Sequence, residues 1–226
     1  MNDAVKQYWD EKIRIWAQTS YRPAHSRGLI NRFFAHVRKS IDQRMQTAIQ
    51  TLAPHVRDRT VLDLGCGVGL LGIHLMAHGC AHYNGLDISE VAVAEGRRLA
   101  GEAGLSDRMT FQQAMITGQT PLPDADIVVG LGFLDWLSLD EVRGLFSRLR
   151  GRRFLLTYSE QDNSFNEIVH RFYLVKRLQW KRSGVYAYHF RRRDIEEILT
   201  QCGMQKVTRI KTRGMRFGVM IHNLDQ

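Results

Sequence analysis

The stretch VLDLGCGVG, Val61 to Gly69, restricts the fold of this chain more than any other part of it. A short apolar run carrying one acid, Asp63, leads into glycine at every second position, Gly65, Gly67 and Gly69. Glycine permits φ > 0 and removes the Cβ atoms that hold a ligand away from the backbone, and a helix that follows offers unpaired N–H groups at its start. This spacing predicts a ligand-binding loop at the end of a buried strand. About twenty residues further on, Asp87 closes the next apolar run, at the place where a carboxylate accepts both hydroxyls of a ribose.

From Thr60 onward, short apolar runs alternate with helical stretches, the pattern of a parallel sheet with crossover helices. The strands are expected at Val61–Leu64, Tyr83–Leu86, Met109–Gln112, Ile127–Leu131 and Phe154–Tyr158, with helices near Gly69–His78, Glu90–Ala103 and Leu139–Arg150. A stretch rich in long polar and aromatic side chains, Glu160 to Phe190, interrupts the alternation and reads as an insertion. A helix over Asp194–Cys202 follows, and then two strands, Lys206–Lys211 and Gly218–Asn223, joined by a short basic turn around Gly214. The fold expected is α/β: a Rossmann-like, seven-stranded, mostly parallel sheet closed by an antiparallel hairpin. Upstream, apolar residues recur at gaps of three and four from Ile30 to Leu52, and a shorter amphipathic helix is expected over Val5–Trp16. Residues 1–54 are therefore expected to form a helical cover, with 55–226 as the sheet domain and 160–190 lying on its substrate side.

Thirty-two Lys and Arg against 23 Asp and Glu leave a formal charge of +9, which favours an anionic partner over a cationic one. Cys66, Cys80 and Cys202 show neither CxxC nor Cys/His ligand spacing, so no metal site is expected, and their odd number argues against a disulfide framework. The first sixteen residues are charged throughout, and no stretch approaches the roughly 18 apolar residues of a membrane span; a cytoplasmic location is expected.

Two cofactor classes fit the loop. Gly67, Gly69 and Gly72 satisfy GxGxxG, the dinucleotide pattern, with Asp87 at the expected distance. A dinucleotide site, however, prefers an uninterrupted apolar strand before its first glycine, whereas here Asp63 lies inside the strand and Gly65-Cys66 precede the pattern. A carboxylate at that place suits an amino-acid-bearing ligand, whose ammonium Asp63 could orient directly or through water.

At this point the chain resembles the class I S-adenosylmethionine-dependent methyltransferases, whose first motif is a strand ending in an acid followed by GxGxG. The likeness covers Arg59 to Asn223 and includes Asp87 after NGL, the helix opened by Ser89, LPDADIVV, GFLDWL, FLLTYS and the terminal hairpin. It implies S-adenosyl-L-methionine as cofactor, held by Asp63, Gly65, Cys66, Gly67, Gly69, Asp87, Ile88, Ala114, Met115 and Leu131. One departure stands out: where the family often places an acid after the third strand to meet the adenine amino group, this chain has Ala114. Backbone groups of Ala114 and Met115, or the Gln113 amide, would have to serve instead.

The segment Leu131 to Leu137 borders the transferred methyl in this family, and here it lacks the (N/D)PP(Y/F) motif of nucleobase amine methylation. Its titratable group is Asp135, beside Phe133 and Trp136, whose apolar surroundings would raise its pKa toward that of a base. Asp135 and His189 are accordingly the candidate catalytic residues, and Tyr21, Trp136 and His170 the candidate substrate contacts. The overall layout is also similar to magnesium-protoporphyrin methyltransferases, although the histidine which that family tends to carry near Asp135 is absent. A small anionic acceptor methylated on oxygen is the expected substrate. RNA is the alternative within the enzyme class, and a nicotinamide-dependent or non-catalytic nucleotide-binding protein is the alternative outside it.

Overall fold

The structure, a computed structural model, describes residues 5–11, 13, 29–162, 186–211 and 218–226. A helical segment over 5–11 precedes α1 (Leu29–Leu52). Then follow β1 (Thr60–Leu64), α2 (Leu70–Ala77), β2 (His82–Asp87), α3 (Glu90–Glu102), β3 (Met109–Gln113), β4 (Ile127–Gly130), a 3-10 turn (Leu134–Trp136), α4 (Leu139–Arg148), β5 (Arg153–Ser159), α5 (Arg192–Gln201), β6 (Thr208–Ile210) and β7 (Gly218–His222). Tyr21, His170, Gly214 and most of the expected insertion lie outside the described residues.

The seven strands form one sheet in the order β3-β2-β1-β4-β5-β7-β6. The first five pair in parallel, and β7 runs antiparallel between β5 and β6. This is the Rossmann-like sheet with a terminal hairpin that the motif order implies. Strands covered on both faces need no alternation, and β4, IVVG, is buried at every position. Edge strand β3 alternates instead, with Met109 and Phe111 buried and Thr110 and Gln112 exposed.

Two apolar clusters flank the sheet. One joins Leu62, Val128, Leu145, Phe146, Phe154 and Leu156 to α5 through Ile195 and Ile198. The other joins Val61, Tyr83, Val129 and Leu155 to α2 and α3, and includes Ala48, Ile49 and Leu52 of α1. The last turns of α1 therefore share the core of the sheet face on which α2 packs.

Helix starts follow local chemistry. Ser89 caps α3 by accepting from Ala92 N at 3.1 Å. Ser138 and Glu141 form a reciprocal capping box at α4. That helix stops at Arg148, short of the expected Arg150, because the chain turns through Gly151 at φ 72° to enter β5.

Candidate functional site

Parallel order places the ends of β1, β2, β3, β4 and β5 along one edge of the sheet, and β1 and β4 are neighbours whose crossovers diverge. Ligands of such sheets bind in the crevice at that reversal. The glycine loop follows β1 there. Gly65 N and Cys66 N donate to Leu86 O at 2.8 and 3.1 Å, which fastens the loop to the end of β2. Gly65, Gly67 and Gly69 all have positive φ, and a Cβ built on Gly67 would meet nothing within 4 Å, so the loop offers an open backbone face. At Gly69 the requirement is different, because a Cβ would stand 2.5 Å from Phe111 Cε1.

Asp87 links loop and helix. Its Oδ2 accepts from Gly67 N at 2.8 Å and its Oδ1 from Ser89 N at 2.9 Å. Burial pushes its pKa up, against the pull of those N–H donors. Asp10 of the N-terminal segment reaches the same corner, accepting from Ser89 Oγ at 2.6 Å and Val91 N at 3.4 Å. Nothing in the spacing of the N-terminal helix pointed to Asp10.

Asp63 lies on β1, just before the loop. It is 3% exposed and accepts from Tyr83 Oη at 2.6 Å. Burial pushes its pKa up to about 7, only partly opposed by the Tyr83 hydrogen bond. A carboxyl raised in the native state stabilises the fold where it is protonated, below the unfolded value near 4, and that stabilisation is lost as pH rises through 7. We expect the ligand-free protein to lose stability relative to Asp63→Asn between pH 4 and 8, measured by denaturant titration; parallel curves for the two proteins would contradict this.

At the end of β3, Ala114 N donates to Asp87 O at 2.8 Å. The Gln113 amide donates to Ile88 O at 3.1 Å, which ties together the two chain segments expected to flank adenine. Met115, the next residue, is 41% exposed, unusual for its type, and supplies an apolar surface.

After β4 come Leu131 and Gly132, whose N–H donates to Thr157 Oγ1 at 2.6 Å. Phe133 packs on Gly65 and so joins this segment to the glycine loop. Asp135 is held by both polar groups of Ser159: Oδ1 accepts from Ser159 N at 2.6 Å and Oδ2 from Ser159 Oγ at 2.8 Å. Burial pushes the Asp135 pKa up to about 6, opposed by the two Ser159 bonds and the Arg44 charge. Its backbone O accepts from Tyr188 N at 2.7 Å, and Phe190 N donates to Ser159 O at 2.9 Å. Those two bonds bring the backbone on either side of His189 to the end of β5, next to Asp135. Trp136 meets Trp9 edge to face, ring centres 4.9 Å apart, so the N-terminal segment reaches both Ser89 and the turn after β4.

The sheet edge thus gathers Gly65, Cys66, Gly67, Gly69, Asp87, Ile88, Ala114, Met115, Leu131, Asp135, Trp136 and His189. Four participants went unassigned in the sequence: Asp10, Arg44, Thr157 and Ser159. Ser159 carried a faint signal as the final residue of FLLTYS, whereas Arg44 lies off the apolar stripe of its helix and carried none.

The basic run Arg148, Arg150, Arg152 and Arg153 serves another end of the molecule. A cleft of about 640 Å3 at the start of β5 is lined by Arg150, Arg152, Arg153, Gln201 and Asn223. Arg150 donates to Gln201 O, Arg152 to Pro123 O and Arg153 to Gln226 O, so these guanidinium groups are engaged by backbone carbonyls away from the glycine loop. Among the described residues, no helix is long and apolar enough to cross a membrane.

Residues 61–152 match the family model described as a methyltransferase domain. Among curated proteins, the chain is 37% identical over 78 residues to protein arginine N-methyltransferase 1 of Schizosaccharomyces pombe, covering 34% of this chain and 23% of that protein. It is 42% identical over 72 residues to the ribosomal protein L11 methyltransferase of Escherichia coli, covering 32% and 24%. The chain spans about a quarter of the length of these relatives. Among solved structures, magnesium protoporphyrin IX methyltransferase from Synechocystis with bound S-adenosylhomocysteine superposes with a TM-score of 0.71 at 22% identity, over 96% of both chains.

Sheet, loop and domain match agree: residues 61–152 match a methyltransferase domain, and the chain shares its fold with solved methyltransferases. The domain match covers Asp63, the glycine loop, Asp87 and Asp135.

Proposed function

We propose that this protein transfers the methyl group of S-adenosylmethionine to an oxygen of a small anionic acceptor. The observation that carries the reading is Asp135, a carboxyl with a pKa of about 6, fixed by Ser159 in the segment that borders the glycine loop. Neighbours that superpose along nearly the whole chain support a small acceptor: magnesium protoporphyrin IX methyltransferase by its name acts on such a molecule. Mitomycin 7-O-methyltransferase, with a TM-score of 0.60 and 16% identity over 81% of this chain and 53% of its own, is by its name an O-methyltransferase. The protein methyltransferases match over only about a third of the chain.

The residues present fit the cofactor. The open face at Gly67, the exposed Met115 and the carboxylate of Asp87 form a cradle of the right chemistry for a purine nucleoside. When bound, the cofactor supplies an electrophilic methyl on a sulfonium, which an acceptor attacks in line. The chain supplies position: Asp87 fixes the ribose hydroxyls, Ala114 and Met115 flank the adenine, and the Gly65–Gly69 backbone receives the amino-acid end. In-line placement accounts for much of the acceleration in such transfers. A hydroxyl acceptor also needs its proton removed, and Asp135, ionised above about pH 6, takes that proton at a carboxylate oxygen. His189, whose neighbours Tyr188 and Phe190 bond through their backbones to Asp135 and Ser159, is the alternative base. Tyr21 and His170 remain proposed acceptor contacts, as does Trp136, with the 160–190 segment and the N-terminal helices as walls of the acceptor cleft.

The test is methyl transfer from radiolabelled S-adenosylmethionine to a panel of hydroxylated aromatic and sugar acids, with structured RNA in parallel. Transfer to a small acid at an oxygen is expected. Transfer to RNA alone would overturn the acceptor class.

A further inference from the structure

The cleft at the start of β5 carries the guanidinium groups of Arg150, Arg152 and Arg153, and no carboxylate side chain lines it. β5 runs seven residues, from Arg153 to Ser159. At about 3.3 Å per residue the cleft therefore stands about 20 Å from the end of the strand where Ser159 holds Asp135. It is no part of the crevice at the glycine loop.

The carbonyls that hold these side chains fix their direction without removing their charge. Arg150 Nη2 donates to Gln201 O at 3.2 Å, and Arg153 Nη2 to Gln226 O at 3.0 Å. Each of these bonds engages one of the five N–H donors of a guanidinium. Among the described residues, neither group pairs with a carboxylate side chain. Of the three, only Arg152 does, with the exposed Asp124 at 3.1 Å. The base of the cleft is also fastened: Asn223 accepts from Phe154 N through Oδ1 at 2.7 Å and donates to Arg152 O through Nδ2 at 3.0 Å. The chain leaving β7 and the chain entering β5 are thus tied together beneath the cations.

A concave site lined by charge of one sign focuses its potential on what enters it. The volume of about 640 Å3 lies in the range of small-molecule sites. A phosphate chain suits both features, because it packs several charges into a small volume and its oxygens accept forked, charge-assisted bonds from guanidinium groups. Extended RNA spaces its phosphates along the strand and is matched better by an open groove. The geometry points to a second ligand site in this cleft, which takes the di- or triphosphate group of a small molecule on Arg150 and Arg153.

Calorimetry with inorganic tripolyphosphate tests the site, repeated with saturating S-adenosylhomocysteine and compared with ATP and a single-stranded RNA. Saturable binding of tripolyphosphate at one site per chain is expected, unchanged by S-adenosylhomocysteine. ATP binding as tightly assigns the site to nucleotides, and exclusion of ATP assigns it to free phosphate chains. Arg150→Gln combined with Arg153→Gln should weaken tripolyphosphate binding at least about tenfold. Arg191→Gln combined with Arg193→Gln, at the other end of α5, lowers the net charge equally and should leave the affinity within about twofold. Arg150→Lys combined with Arg153→Lys, which keeps the charge without the fork, should fall between the parent and the first pair, and it carries the test if that pair fails to fold. The inference is overturned by no saturable binding of tripolyphosphate, by equal weakening in the two glutamine pairs, by displacement with S-adenosylhomocysteine, or by binding of RNA alone.

Discussion

Asp135→Asn should lower kcat about 10²-fold or more while leaving the affinity for S-adenosylhomocysteine nearly unchanged. Asparagine keeps the size of the side chain and can still accept from Ser159, but it cannot take a proton. The carboxyl is pushed up to about 6, so in the unaltered enzyme it is ionised at neutral pH yet basic enough to accept from a hydroxyl as the methyl transfers. A structural role for Asp135 is also plain, because it ties the turn after β4 to the end of β5 through Ser159. The pH profile separates the two roles. If Asp135 is the base, kcat/KM falls as pH drops through about 6, and this limb disappears in Asp135→Asn. Ser159→Ala removes one of the hydrogen bonds that favour the ionised form, so the limb should move to higher pH. Full activity in both Asp135→Asn and His189→Ala would remove the base assignment.

Asp87→Ala should weaken S-adenosylhomocysteine binding by about 1.5 to 3 kcal/mol, roughly 10- to 150-fold in Kd. Two losses combine. The ribose hydroxyls lose a charged acceptor, and Gly67 N and Ser89 N lose the carboxylate that fixes the loop relative to α3. Asp87→Asn retains an acceptor for one of those N–H groups and should lie between. An Asp87→Ala variant that binds as tightly as the parent would place the ribose elsewhere.

The fold was largely legible because its signals are local and periodic. The buried strands read as apolar runs whichever helix covers them, and IVVG and VLDL needed no tertiary information. Ser89 and the Ser138–Glu141 box marked helix starts by their chemistry, and the glycine spacing announced a loop whose positive φ values the structure shows. Boundaries differed where a single turn residue decides, as at Gly151.

The site was legible in part. Residues that sit next to a strand end, such as Asp87, Ala114 and Asp135, take their position from the sheet and could be named from the order of elements. Residues that reach the site from elsewhere could not. Arg44 and Asp10 come from the N-terminal helices, where a polar residue off the apolar stripe looks the same whether it faces water or a neighbouring element. Net charge alone did not say where the cations lie: the structure turns Arg150, Arg152 and Arg153 onto carbonyls near helix and strand ends at the far side of the sheet.

Everything above turns on what the loop between β1 and α2 binds. Titration of S-adenosylhomocysteine and, separately, NAD into the unaltered protein by calorimetry tests this most directly. Saturable binding of S-adenosylhomocysteine at one site per chain, with no heat from NAD beyond dilution, is the predicted result. Saturable binding of NAD with none of S-adenosylhomocysteine would contradict the account.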